Sequence, residues 1–369
     1  MDTLQTDLFA DDLLTDDHSS SALEGYAIAE DEEIQSVYRT ITSQWSPTNT
    51  SNQPLVIEHP LPSCGDDSRF LPWVLARSCI FTSLADKDFA SLAKRSKDKS
   101  ITFLDAKTIA AGKDKEGGAA LMRPWRFESE VALWGNGSIR ATGPVLGQTE
   151  LKVLMHLLWL GRANGQPGDS DFTSHPDEGY IRFSLNQLCG MLGKQKSFKD
   201  RQRIKEAMYC MTKVSLNIVH NGNRFNGALI SEFLQHSDQD RCIIKVPKSI
   251  AKLFMPVQAA DAESPVSPAV TKSQAGSYSK IPTRYLNTVR SARASWLINF
   301  LISHDLERFN MFSESQLLES MGLKMDELSP KAKRDIRHRL KKDFTDLIKI
   351  GVIKQYKYDV VNERFQVYP

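Results

Sequence analysis

An eleven-residue frame occurs twice in this chain, and it constrains the fold more than any other feature. Residues 183–193 read Phe-Ser-Leu-Asn-Gln-Leu-Cys-Gly-Met-Leu-Gly, and residues 312–322 read Phe-Ser-Glu-Ser-Gln-Leu-Leu-Glu-Ser-Met-Gly. In each, a Ser followed three residues later by Gln is the signature of a capping box at a helix N-terminus. In each, a Gly falls where a two-turn helix must stop, because Gly enters the left-handed conformation that ends helices at little cost. The repeated unit is therefore a strand end, a short capped helix and a turn.

The flanks extend the repeat. Before each copy stands a segment that is apolar nearly all round, Leu151 to Leu160 and Ala294 to Ile302. Helices of that kind are buried. After each copy comes a basic amphipathic segment, about 197–213 in the first and about 329–350 in the second, with Pro330 suited to the first helical position. Strand-like segments follow: 214–219, 228–235 and 242–246 in the first copy, 352–360 and 364–368 in the second. Buried helix, short helix, basic helix and hairpin is the order of a winged helix-turn-helix. The expected fold class is α+β, with two tandem winged-helix domains and a disordered acidic N-terminal tail. Upstream, 101–104 and Val131 to Trp134 read as strands, with Asn136-Gly137 as a hairpin turn.

The basic segments carry the candidate DNA-binding residues. In the second copy Ile336, Leu340, Phe344 and Leu347 recur at helical spacing and form the core face. Around them lie Lys331, Lys333, Arg334, Arg337, His338, Arg339, Lys341 and Lys342, and the spacing does not separate those that meet bases from those that meet phosphates. In the first copy Ile204, Met208 and Met211 form the stripe, and Lys194, Lys196, Lys199, Arg201, Arg203 and Lys205 supply the charge. Arg pairs with guanine edges, and both Arg and Lys neutralise phosphates. A basic helix face is often only solvated, but two of them in the same structural frame favour DNA. Asn221-Gly222 and Asn362-Glu363 are turns in the position of wing tips.

Charge is distributed unevenly. Residues 1–38 hold eleven Asp and Glu and no Lys or Arg, so a net charge of +2 leaves +13 on the remainder. The body attracts a polyanion and the tail repels or competes with one. The domain reading is a tail over 1–68, a first winged-helix domain with an N-terminal strand extension over 69–255, a Pro/Ala/Ser-rich linker over 256–277, and a second winged-helix domain over 278–369. Two sizeable cores are expected. The longest apolar run, Trp296 to Ile302, is too short for a bilayer. The acidic start lacks the pattern of a secretory signal. Five cysteines form no Cys-x-x-Cys pair, so neither a zinc site nor a disulfide framework is suggested, and a reducing cytoplasm is the expected compartment.

Catalysis is not expected. The stretch Ala110-Ala111-Gly112-Lys113-Asp114 lacks the upstream Gly and following Ser/Thr of a phosphate-binding loop. The eight histidines contain no His-x-His pair for a nickase metal. His156 reads as a core residue, and Cys189 and Cys210 as packing residues. No cofactor is expected.

Residues scattered in order over 71–357 resemble the TrfA-type initiators of broad-host-range plasmids, and more distantly the two-winged-helix plasmid Rep proteins. They are Ala76-Arg77-Ser78, Ile80-Phe81-Thr82, Ile181-Arg182-Phe183, Gln187-Leu188-Cys189, Leu192-Gly193, Val246, Leu253-Phe254, Tyr278, Lys280, Tyr285 and Ser303-His304. The resemblance implies binding to repeated double-stranded origin sequences (iterons), origin melting and recruitment of a host initiator and replicative helicase. It also implies a monomer that initiates and a dimer that does not. The 256–277 linker is an insertion relative to that pattern. In the tail, Gln5-Thr6-Asp7-Leu8-Phe9 resembles the peptide by which bacterial replication proteins bind the β sliding clamp. There Leu8 and Phe9 would fill an apolar pocket, with Gln5 and Asp7 at its rim. Two other readings fit the same residues: a winged-helix transcriptional regulator that binds an operator but not the clamp, and a nicking enzyme that attaches covalently through tyrosine.

Overall fold

The computed structural model describes residues 61–62, 64–83, 125–135, 137–161, 170–171, 178–220, 223–235, 240–254, 278–289, 291–307, 310–323 and 329–369. The acidic tail with Gln5, Asp7, Leu8 and Phe9, the 101–104 segment and the 256–277 linker lie outside these residues.

The protein is α+β, with small antiparallel sheets. The first half comprises β1 (Ser68–Pro72), α1 (Trp73–Ala76), β2 (Trp125–Glu130), β3 (Ser138–Pro144), α2 (Gln148–Leu160) and β4 (Ser170–Asp171). It continues through β5 (Glu178–Ser184), α3 (Leu185–Met191), α4 (Phe198–Lys213), β6 (Ser215–His220), β7 (Asn223–Gly227), β8 (Glu232–Gln235) and β9 (Arg241–Pro247), then a 3-10 turn over Lys248–Phe254. The second half runs β10 (Tyr278–Pro282), α5 (Thr283–Thr288), α6 (Ala292–Ile302), β11 (Met311–Ser313), α7 (Glu314–Ser320), α8 (Pro330–Lys349), β12 (Gln355–Asp359) and β13 (Arg364–Tyr368).

The repeat is longer than its motif. A short strand ending in Pro, then a short helix, opens each half: β1–α1 with Pro72 and β10–α5 with Pro282. Pro removes a backbone donor and fixes φ, so it ends the strand and starts the helix. These equivalent strands pair antiparallel, Ser68 with Pro282 and Pro72 with Tyr278. The corresponding sheets also match, ordered β5–β9–β8 in the first half and β11–β13–β12 in the second. By that order the counterpart of the β12–β13 hairpin is β8–β9. The β6–β7 hairpin instead extends a separate sheet, β2–β3–β6–β7. Of the strand expected over 228–235, only β8 forms.

Both predicted buried helices are present. Along α2 only Thr149, Lys152 and Trp159 escape full burial, and along α6 Ala294 to Leu301 are all buried. The N-terminal β-strand reading needs correction at Val131 to Trp134. The strand lies earlier, at β2, and the following residues turn aside to bond with the 77–79 segment, Cys79 N–H to Ala132 O at 3.1 Å and Trp134 N–H to Arg77 O at 2.8 Å.

Most of the buried apolar residues form one connected cluster that spans both halves. The halves are joined by groups far apart in sequence. Trp296 of α6 stacks on Phe300 (centroids 4.8 Å apart) and donates its indole N–H to Ser78 O at 3.1 Å. Trp134 packs edge-on against Phe300 and Phe312 at 5.3 and 5.7 Å. The Arg77 guanidinium bonds the Ser303 hydroxyl and carbonyl, and Ser83 Oγ bonds Met321 O. Among the described residues no helix is long and apolar enough to cross a membrane.

Candidate nucleic-acid interface

Helix α8 is built to project. Ser329 caps it, its Oγ accepting from Ala332 N–H at 3.2 Å, and Pro330 occupies the first turn. Its core stripe is Leu340, Phe344 and Leu347, all fully buried, with Ile336 half-buried. No residue from Pro330 to Arg339 is buried. The N-terminal ten residues are therefore exposed or half-buried, over about 15 Å of helix at 1.5 Å per residue. Lys331, Arg334, His338, Arg339 and Lys342 are exposed, while Lys333, Arg337 and Lys341 are half-buried. Among the described residues no carboxylate pairs with Lys331, Lys333, Arg334, Arg339 or Lys342. This leaves a concentrated positive surface without internal compensation.

Arg337 is held by carboxylates within the protein. Its Nε donates to both Glu314 oxygens at 2.9 and 2.7 Å, and its Nη2 donates to Glu363 at 2.8 Å. Glu314 is buried, at the start of α7. The Tyr358 hydroxyl also donates to Glu314, and Arg337 and Lys341 lie over the Tyr358 ring at 5.6 and 4.1 Å. The hydrogen bonds to Glu314 push the Arg337 pKa up, and burial pushes Tyr358 up. Glu363 sits in the β12–β13 turn at φ +46°, and its carbonyl accepts from Glu314 N–H at 2.8 Å. Arg337 thus braces the basic helix against the short helix and the hairpin tip. Its Nε and Nη2 are both committed to carboxylates, so its work is positional.

A second brace ties α8 to the buried helix before it. Asp343 is buried and pairs with Arg293 of α6, with Ser291 Oγ at 3.4 Å. Burial raises the Asp343 pKa, and Arg293 opposes that shift. The sequence held a signal for it, because Asp343 continues the spacing of Ile336, Leu340 and Leu347 and so occupies a core position.

Helix α4 starts in the same way and sits deeper. Ser197 Oγ accepts from Asp200 N–H at 3.2 Å. Ile204, Ala207, Met208, Cys210 and Met211 are buried. Lys194 and Lys196 lie on the turn before the helix and are exposed, as are Lys199 and Arg203, whereas Arg201 and Lys205 are half-buried. Burial lowers the Lys205 pKa. Phe198, at the tip of this helix, is 68% exposed.

The preceding short helices share their ends but not their starts. In α3 the capping box forms: Gln187 N–H donates to Ser184 Oγ at 2.9 Å, and Ser184 N–H donates to Gln187 Oε1 at 3.4 Å. In α7 the expected box does not form. Ser313 makes no cap bond, and its hydroxyl lies 2.9 Å from Ser315 Oγ. Both helices end alike, with Gly193 at φ +64° and Gly322 at φ +95°. Matching bonds from Lys194 N–H to Cys189 O and from Leu323 N–H to Leu318 O close the two ends.

All five cysteines are buried and free, and among the described residues no group of three or more His, Cys, Asp or Glu could hold a metal ion. No family model matches the chain, and no curated protein matches it. Among solved structures, this chain is similar to the crystal structure of selenomethionine derivatives of domains 2 and 3 of RctB. The likeness has 10% sequence identity and a TM-score of 0.39, over 66% of this chain and 90% of that one.

Proposed function

We propose that the two halves are winged-helix units, that the protein binds double-stranded DNA through α8 with α4 as the secondary contact, and that it does so as a plasmid-type replication initiator. The observation that carries the DNA reading is the projecting half of α8, which presents Lys331, Arg334, Arg339 and Lys342 with no carboxylate partner among the described residues. Helices of this kind enter the major groove, where Arg reads guanine and Lys and Arg neutralise phosphates. The sheet order β11–β13–β12 around α7 and α8 supports the winged-helix reading, as does its echo β5–β9–β8. The hairpin tip at Val360 and Val361, 72% and 90% exposed, stands at the end of this sheet as a wing. The chemistry is binding rather than catalysis.

The initiator role adds partners: repeated origin sites, the β sliding clamp through Gln5, Asp7, Leu8 and Phe9, and a host initiator and helicase, with a monomer–dimer equilibrium. It is supported by the sequence resemblance and by the clamp-binding-like peptide. The test is a pull-down of the full chain on the bacterial sliding clamp, beside Leu8→Ala/Phe9→Ala. Retention that disappears in the double variant supports the initiator reading. Equal retention of both, or of neither, overturns the clamp assignment while leaving DNA binding to be judged by its own measurement.

A further inference from the structure

A cavity of about 490 Å³ lies where the two halves meet. That volume falls in the range of small-molecule sites. Its walls come from α2, the turn between α3 and α4, the first turns of α4, and the α5–α6 connection. Three cations line it, Lys152, Lys194 and Arg203, against one carboxylate, Asp200. Asp200 is already engaged by the Ser197 hydroxyl at 2.7 Å.

Lys152 is the unusual member. It lies on a helix that is otherwise core, and its ammonium donates to a single acceptor across the junction, Leu286 O at 2.6 Å. No carboxylate pairs with it among the described residues. Burial, and then the charge of Lys194, hold its pKa down to about 8. A buried ammonium without a counter-ion is costly, and an anion entering the cavity would relieve that cost. Two helix starts reach the same space, Gln148 of α2 and Ala292 of α6, each adding partial positive charge. Leu192, Ile204 and Val289 add an apolar part to the lining.

We infer that this junction cavity is a binding site for a phosphorylated small molecule, its phosphate held between Lys152, Lys194 and Arg203 and its organic body against the apolar wall. The cavity shares Lys194 and Arg203 with the DNA contact proposed for α4, so its test is made without DNA. Its occupancy would bear on the N-terminal end of α4, because Gly193, Lys194, Asp200 and Arg203 all belong to that end. The bound anion would also bridge α4 to the α5–α6 connection of the other half.

The test uses the full chain without DNA. Inorganic phosphate, pyrophosphate and ADP are titrated calorimetrically and by thermal shift, against sodium chloride of equal ionic strength. The expected result is saturable binding of at least one probe, weakened tenfold or more in Lys152→Met and in Lys194→Gln. Tighter binding of ADP than of pyrophosphate supports the inference, and the reverse identifies a bare phosphate site and overturns the contact with an organic body. Lys194→Gln lies on the exposed rim and carries the test alone if Lys152→Met fails to fold. No binding beyond the chloride control overturns the inference, and so does binding unchanged in the variants. A third overturning result is no probe binding together with loss of duplex DNA affinity in Lys152→Met, which would assign the lysine to the DNA backbone.

Discussion

Helix α4 buries its seventh residue, Ile204, whereas α8 has no buried residue before its eleventh, Leu340. The two helices follow the same short-helix frame and both start from a Ser cap, yet one is embedded for most of its length and the other stands half free. The difference comes from what surrounds them. The first half carries an additional sheet, β2–β3–β6–β7, and α4 packs against β3 and β8 as well as α2 and α3. Apart from β10, which pairs with β1, the second half has a three-stranded sheet, and beyond its buried Leu340, Phe344 and Leu347 α8 is steadied by three ion pairs, Arg337 with Glu314 and with Glu363, and Arg293 with Asp343. Packing holds both basic helices, and the second adds electrostatic bracing. A helix braced by charge at its middle leaves its leading turns open to a groove.

The largest expected effect comes from removing that brace. Arg337→Ala leaves the buried Glu314 carboxylate without its cation, and breaking such a pair costs about 3 kcal/mol of stability. Lys199→Ala on α4, exposed and without an acid partner among the described residues, should change stability by less than about 0.5 kcal/mol. Urea denaturation of the two variants measures both, and equal costs would contradict the contrast.

His156 of the first half is fully buried, and His304 of the second is half-buried. His156 and His304 bond through Nδ1 to the carbonyl four residues back, each at 2.7 Å. Burial holds both near pKa 4, with Arg69 and Arg77 adding to the shift. Each is neutral when folded but titrates near 6.5 when unfolded. The stability it contributes is present above pH 6.5 and is lost as pH falls towards 4. For His156, fully buried, the loss across that window amounts to about 3 kcal/mol, and it is smaller for the half-buried His304. Melting profiles from pH 7 to 4 should therefore flatten more in His156→Gln than in His304→Gln.

The smallest effect separates the two caps. Ser184→Ala removes a formed capping box and should cost about 1 kcal/mol, whereas Ser313→Ala removes no cap bond and should cost a few tenths. Thermal denaturation resolves that difference, and identical losses would mean that the α7 box closes in solution.

Local periodicity made much of this fold legible. The buried helices, the basic helices with Ser197 and Ser329 as caps, the glycine stops and β13 all follow from residues within a few turns of one another. What periodicity missed depends on distant partners. Ser313 has the same local frame as Ser184 but a different neighbour at Ser315. Arg337 has the spacing of a groove-facing residue, yet Glu314 and Glu363, 23 and 26 positions away, claim it. The β8–β9 hairpin, rather than β6–β7, completes the first unit because β3 pairs with β6, and strand pairing at that range leaves no signature in a single sequence. The junction cavity was invisible for the same reason, since its lysine reads as one polar position in an apolar helix.

The most direct measurement is the salt dependence of duplex DNA binding by the full chain, compared between two triple variants. One is Lys331→Gln/Arg334→Gln/Arg339→Gln on α8, and the other is Lys196→Gln/Lys199→Gln/Arg203→Gln on and before α4. Each lost phosphate contact lowers the log–log slope by about 0.9. The account predicts a fall of up to about three units for the α8 variant and a smaller fall for the α4 variant. An unchanged slope in the α8 variant, or a larger fall in the α4 variant, would contradict the assignment of the projecting helix to DNA.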